Sequence, residues 1–181
     1  FTLINGILYF TARTQASGRE LWRSDGTNGG TFMVKEIING AVGGFETAGQ
    51  YGYYDLGFGV VWQPGNDFFF IANNYASVPG GGSYTNNQEL WKSDGSAAGT
   101  MMVKDIQPGN DGSDPLDFTV VNNTLYFTAR TASNGRELWR SDGTNGGTIM
   151  VKEIISGPVG GFETAGQYGY YNYTFSVVWQ T

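Results

Sequence analysis

Glu20-Leu21-Trp22-Arg23-Ser24-Asp25-Gly26-Thr27 decides how this chain of 181 residues is read, because the string returns twice. Its second copy is Glu89-Leu90-Trp91-Lys92-Ser93-Asp94-Gly95-Ser96, and its third is Glu137-Leu138-Trp139-Arg140-Ser141-Asp142-Gly143-Thr144. Each copy runs on alike, through Gly30-Thr31-Phe32-Met33-Val34-Lys35, Gly99-Thr100-Met101-Met102-Val103-Lys104 and Gly147-Thr148-Ile149-Met150-Val151-Lys152. A repeat of this length is one supersecondary unit used several times, each burying its apolar face against a neighbour. Residues 1–64 laid over 118–181 coincide at about 49 positions. The outer copies are therefore near twins, and the middle one is a cousin.

Within a copy, apolar residues alternate with period two between turn signals, the pattern of strands. Phe1-Thr2-Leu3-Ile4 passes through Asn5-Gly6 into Ile7-Leu8-Tyr9-Phe10-Thr11-Ala12. Asn-Gly between apolar runs is a strong hairpin signal, since both turn positions need positive φ. A third strand is expected over 19–25 and a fourth over 31–38. Four short antiparallel strands in tandem predict an all-β fold of β-propeller type with about three blades. These are blade A over 1–63, blade B over 64–117 and blade A′ over 118–181. Propellers close with about four to eight blades. Three need completion, from a longer parent chain of the same repeats, from a symmetric dimer, or from an open filament built through unpaired edges.

Composition narrows function. With no Cys and no His there is no disulfide framework, no zinc site of the usual ligands and no imidazole base. A net charge of −6 and the absence of any basic cluster argue against nucleic acid as a partner. The longest apolar run, Phe68 to Ala72, is far too short to span a bilayer, so no membrane span is expected. The chain opens at Phe1 with no signal-like segment, as expected of a processed or excised stretch. Sparse charge, at 14%, together with abundant Thr, Asn, Gly and Tyr points to an extracellular or cell-surface setting.

The copies differ in their loops. Blade B carries an insertion from Tyr75 to Tyr84 between its second and third strands, and blade A carries one after its fourth strand. In an up-and-down meander these two connections emerge at the same end, so both insertions decorate one face. The blade A insertion, Gly43-Gly44-Phe45-Glu46-Thr47-Ala48-Gly49-Gln50-Tyr51-Gly52-Tyr53-Tyr54, recurs in blade A′ from Gly160 to Tyr171. Tyr among Gly and polar residues gives contact area at low entropy cost, the chemistry of recognition surfaces. Candidate ligand or interface residues are accordingly Tyr51, Tyr53, Tyr54, Glu46 and Gln50, their counterparts Tyr168, Tyr170, Tyr171, Glu163 and Gln167, and Tyr75 with Tyr84. The alternative is that these rings fold back and cover blade edges. Asn122-Asn123-Thr124 and Asn172-Tyr173-Thr174 are glycosylation sequons, meaningful only in a eukaryotic secreted protein.

Structural residues recur from copy to copy, whereas a catalytic centre needs residues that break the repeat. All ten cations recur, as Arg13/Arg130, Arg19/Arg136, Arg23/Lys92/Arg140 and Lys35/Lys104/Lys152. Only Asp55, Asp67, Asp111, Asp114 and Asp117 among the acids do not. No catalytic residue is expected, and a propeller glycosidase or quinone-dependent dehydrogenase is disfavoured. Glu20 is expected to face Lys35 as a cross-strand ion pair. Trp22, Trp91 and Trp139 are expected between blades. Asp25, Asp94 and Asp142 should hold their own turns by accepting backbone N–H groups two residues on. Asp111, Asp114 and Asp117 lie in the densest acidic cluster; Gly112 with Pro115 suits a plain turn there, so no cofactor is expected, and these three acids would be the ligands if a calcium ion were bound instead.

Glu-Leu-Trp-x-x-Asp-Gly-Thr at 20–27 and 137–144, followed by Gly-Thr-x-Met-Val-Lys, resembles the ELWxxDGT repeat family of secreted bacterial proteins. The middle copy matches with Ser96 in place of Thr. The resemblance covers most of the chain apart from the insertions. It implies a propeller-like repeat in large extracellular proteins and no established activity, so no site residue carries over. The expected function is a non-catalytic extracellular scaffold for self-assembly or surface adhesion, with the chain itself or further repeats as partner. The rival is a lectin-like propeller that binds glycans through the Tyr-rich loops.

Overall fold

The computed structural model describes residues 1–49, 52–55, 60–62, 67–74, 87–109, 111–166 and 169–172, and among them the fold is all-β with no helix. The first sheet holds β1 (Thr2–Ile4), β2 (Ile7–Thr14), β3 (Gly18–Ser24) and β4 (Phe32–Lys35) in that order, all antiparallel. A two-stranded hairpin follows, β5 (Glu46–Gly49) with β6 (Gly52–Asp55). The second sheet holds β7 (Val60–Trp62), β8 (Phe68–Asn73), β9 (Gln88–Ser93) and β10 (Met101–Lys104). The third holds β11 (Leu116–Val121), β12 (Thr124–Thr131), β13 (Gly135–Ser141) and β14 (Ile149–Lys152), and a second hairpin joins β15 (Glu163–Gly166) to β16 (Gly169–Asn172). Each four-stranded sheet is an open meander, as the alternating pattern and the turns predict. No helix among the described residues is long and apolar enough to cross a membrane.

The hairpin turns have the expected backbone. Asn5 and Gly6 sit at φ 49° and 79°, and Asn122 and Asn123 at 49° and 60°, the double positive φ of a type I′ turn. Asn replaces Gly in the third sheet because its short polar side chain tolerates that region. The sheets share a register, with Phe10 opposite Trp22 in the first, Phe70 opposite Trp91 in the second and Phe127 opposite Trp139 in the third. A ladder irregularity between Leu21 and Trp22 recurs between Leu138 and Trp139. It places Lys35 opposite Leu21, so the expected Glu20–Lys35 ion pair does not form.

Successive apolar residues such as Phe68, Phe69 and Phe70 give the second sheet two apolar faces, and the sheets stack through them. Tyr9, Leu21 and Val34 of the first sheet meet Phe68, Phe70 and Trp91 of the second in one buried cluster. Phe69, Leu90 and Val103 leave the opposite face of the second sheet to meet Leu125, Phe127 and Trp139 of the third. The second sheet is thus covered on both faces, and β8 is buried along almost its whole length. Trp91 and Trp139 lie in these inter-sheet cores, as expected of a large ring at that repeat position, whereas Trp22 of the first sheet is only partly buried and lies in neither.

Candidate functional site

The repeat motif itself is occupied with structure. Glu20 is fully buried, and its carboxylate accepts the backbone N–H groups of Ile37, Ile38 and Gly44 at 3.0, 3.1 and 3.2 Å. Glu89 repeats this with Ile106, Gln107 and Ser113, adding the Ser113 hydroxyl at 2.6 Å. Glu137 accepts from Ile155 and Gly161 at 3.1 and 3.0 Å. Each glutamate therefore pins the chain leaving the fourth strand to the third strand of its own sheet. Burial pushes the carboxyls of Glu20 and Glu89 up to about 7 against the pull of those N–H donors. A raised carboxyl in a cleft is a candidate acid catalyst. These are closed in by the backbone they hold, which leaves them a structural role.

The Asp-Gly turns are equally self-contained. Asp25 Oδ1 accepts the N–H and the hydroxyl of Thr27 at 2.9 and 2.7 Å, and the Thr27 hydroxyl accepts the Gly30 N–H at 2.9 Å. Asp94 with Ser96 and Asp142 with Thr144 copy the arrangement. These bonds hold the three aspartates below the usual carboxylate range. A Cβ at Gly30, Gly99 or Gly147 would run into the carboxylate of the turn Asp, so glycine there leaves that carboxylate where its bonds hold it. The serine that replaces threonine at 96 keeps the hydroxyl, so the turn is unchanged.

Lysine serves the next sheet rather than its own. Lys35 Nζ donates to the carbonyl oxygens of Thr100 and Ala97 at 2.8 and 3.3 Å, and Lys104 Nζ donates to that of Thr148 at 2.8 Å. Sequence reasoning missed these contacts, although the recurrence of one lysine per copy was the signal. Arg136, also recurring as Arg19, is fully buried and donates to the carbonyl of Asp114 at 2.7 Å.

No family model, curated protein or solved structure matches this chain.

The Tyr-rich insertions begin from a fixed point. Phe45 is fully buried against Phe70, with ring centroids 5.8 Å apart, and its N–H donates to Arg19 O at 3.2 Å. Phe162 N–H donates to Arg136 O at 3.1 Å in the same way. Beyond these anchors the hairpins pair Glu46 with Asp55, Thr47 with Tyr54 and Ala48 with Tyr53, and likewise Glu163 with Asn172, Thr164 with Tyr171 and Ala165 with Tyr170. The structure thus places Tyr53, Tyr54, Tyr170, Tyr171, Glu46 and Glu163 on two equivalent β-ribbons. Gln50, Tyr51, Tyr75, Tyr84, Gln167 and Tyr168 lie outside the described residues. The ribbons leave the end at which β2 turns into β3, since a Cβ on Gly18 would meet the backbone of Val42 and Gly43.

The acidic cluster does not assemble. Asp117 Oδ2 accepts the Thr128 hydroxyl at 3.0 Å, while Asp114 N–H donates to Gln88 O at 3.2 Å and Asp111 is exposed. Among the described residues no three acidic side chains converge as a metal would require. Asp114 precedes β11 at φ 44°, and Asp117 sits at φ 58° within it, where the ladder to β12 slips between Leu116 and Thr119. A cleft of about 390 Å³ opens between the first two sheets at the Asp-Gly end, with Tyr9, Arg23, Asp67 and Asp94 on its walls. It includes one of the non-recurring acids, Asp67, which pairs with Lys92 at 3.4 Å.

Proposed function

We propose that this chain is a non-catalytic extracellular repeat scaffold, of β-propeller type and akin to the ELWxxDGT repeats, that works by self-assembly or surface adhesion. The observation that carries this reading is the use made of the recurring charges. Glu20, Glu89 and Glu137 bind backbone, Asp25, Asp94 and Asp142 lock turns, and Lys35 and Lys104 join sheets. Those groups have structural partners, which leaves recognition to surfaces and ribbons. Stacking of successive sheets in one repeated relation is the way a propeller is built, and sparse charge fits an extracellular scaffold.

Sedimentation over a concentration series tests the reading. A scaffold of this kind associates at micromolar concentration, and a chain that stays monomeric there and adheres to no surface is not one. The rival lectin reading draws support from the Tyr53 and Tyr170 ribbons, which are the same in both outer copies. Glycan-array binding that disappears in the Tyr53→Ala, Tyr170→Ala double variant would establish it over the scaffold.

A further inference from the structure

We infer that the outer face of the third sheet docks on the outer face of the first sheet of a second copy of this chain, repeating head to tail the two junctions already within it. This deepens the self-assembly reading and rests on it.

Each internal junction has a giving side and a receiving side. On the giving side Val34 and Val103 are buried to 4% and 5% exposure, and their lysine neighbours reach the next sheet. The third sheet carries the same string, Met150-Val151-Lys152-Glu153-Ile154, yet Val151 and Ile154 are 45% and 52% exposed and Lys152 is exposed too. On the receiving side Thr100 and Thr148, which accept the lysines, are fully buried, whereas their counterpart Thr31 is exposed. Gly95 lies under the Tyr9 hydroxyl and Gly143 under the Phe69 ring, while the space beside Gly26 is open.

Position on the strand does not explain this. Phe32, Met101 and Ile149 occupy one repeat position at the sheet rim and are 44%, 44% and 39% exposed in all three sheets. The positions that face a neighbouring sheet do change, and they change in complementary fashion on the two outer faces. The occupant that fits a giving face made of this repeat is a receiving face of the same repeat. In the docked pair Lys152 Nζ would donate to Thr31 O, and Tyr126 would cover Gly26. Such an interface is heterologous, so it closes into a ring of two copies or continues as a filament.

Sedimentation velocity on the chain and two variants tests the docking. Val151→Asp charges the giving face. Leu3→Asp charges the receiving face, where Leu3 is 71% exposed and its counterpart Val120 packs into the second inter-sheet core. Both sites are exposed, so folding should survive, and Ile154→Asp serves as a second giving-face variant; circular dichroism checks each. The expected result is association by the unaltered chain, weakened at least about tenfold in each variant. An equimolar mixture of Val151→Asp and Leu3→Asp should re-form pairs, because one intact junction remains. A monomeric unaltered chain overturns this docking and the self-assembly reading together. Association that survives either variant, or a mixture that stays monomeric, overturns the docking alone.

Discussion

Lys35 Nζ lies 2.8 Å from the carbonyl oxygen of Thr100 and so crosses from the first sheet to the second, and Lys104 makes the same crossing to Thr148 at 2.8 Å. One side chain per repeat thereby fixes how far each sheet is slid along the next, a geometry that apolar packing alone leaves loose. Lys35→Met keeps the aliphatic stem and removes the donor. It should lower stability by about 1 kcal/mol, read as a shift of the urea midpoint without a change in slope.

Glu89 makes stability depend on pH. Its carboxyl rises from the ordinary 4.5 to about 7 in the folded chain, as does that of Glu20. Folding thus favours the protonated form, and the contribution is complete below the unfolded value and lost as pH rises through about 7. Urea midpoints should fall between about pH 5 and about pH 8, and Glu89→Gln should flatten that dependence. Stability that rises across the interval would show that the N–H donors, not burial, dominate.

Removing the acceptor altogether is more damaging. Glu89→Ala leaves the buried N–H groups of Ile106, Gln107 and Ser113 without their partner. A loss of about 3 to 5 kcal/mol is expected in chemical denaturation, unlike the effect at an exposed acid such as Glu36.

Three glycines separate the reasons for glycine. Gly135→Ala meets both a φ of 62° and the backbone of Val159 and Gly160, and should cost about 3 kcal/mol. Gly6→Ala has open space but a φ of 79°, and should cost about 1 kcal/mol. Gly29 has open space and no such φ, so Gly29→Ala should be neutral or slightly stabilising. Thermal midpoints of the three variants should follow that order.

Val103 and Val151 hold one repeat position at 5% and 45% exposure. At dilutions where the chain is monomeric, Val103→Ala should cost about 2 kcal/mol and Val151→Ala less than about 0.5. Equal effects would mean that the two sheets have equal surroundings.

Local chemistry was legible in the sequence. The Asn5-Gly6 turn, the strands around Phe10 and Trp22, the Asp25 turn and the Trp91 core position all follow from short-range rules, because turns and alternation depend on neighbours within a few residues. The partner of Lys35 was not legible. It depends on the ladder irregularity at Leu21 and Trp22 and on a carbonyl 65 residues away, and no local pattern encodes either. The acids near Asp111 looked alike in sequence, yet Asp117 is taken up by the Thr128 hydroxyl, and no three acids converge among the described residues.

By itself, then, the sequence determined that the chain would make repeated antiparallel meanders, where each would turn, and which residues would line their faces. Only the tertiary structure decided which of those faces meet. Met33 to Ile37 and Met150 to Ile154 are the same five residues, yet Val34 is buried and Ile37 half-buried while Val151 and Ile154 lie open. Burial belongs to a pair of surfaces, and a repeat specifies only one member of the pair at a time.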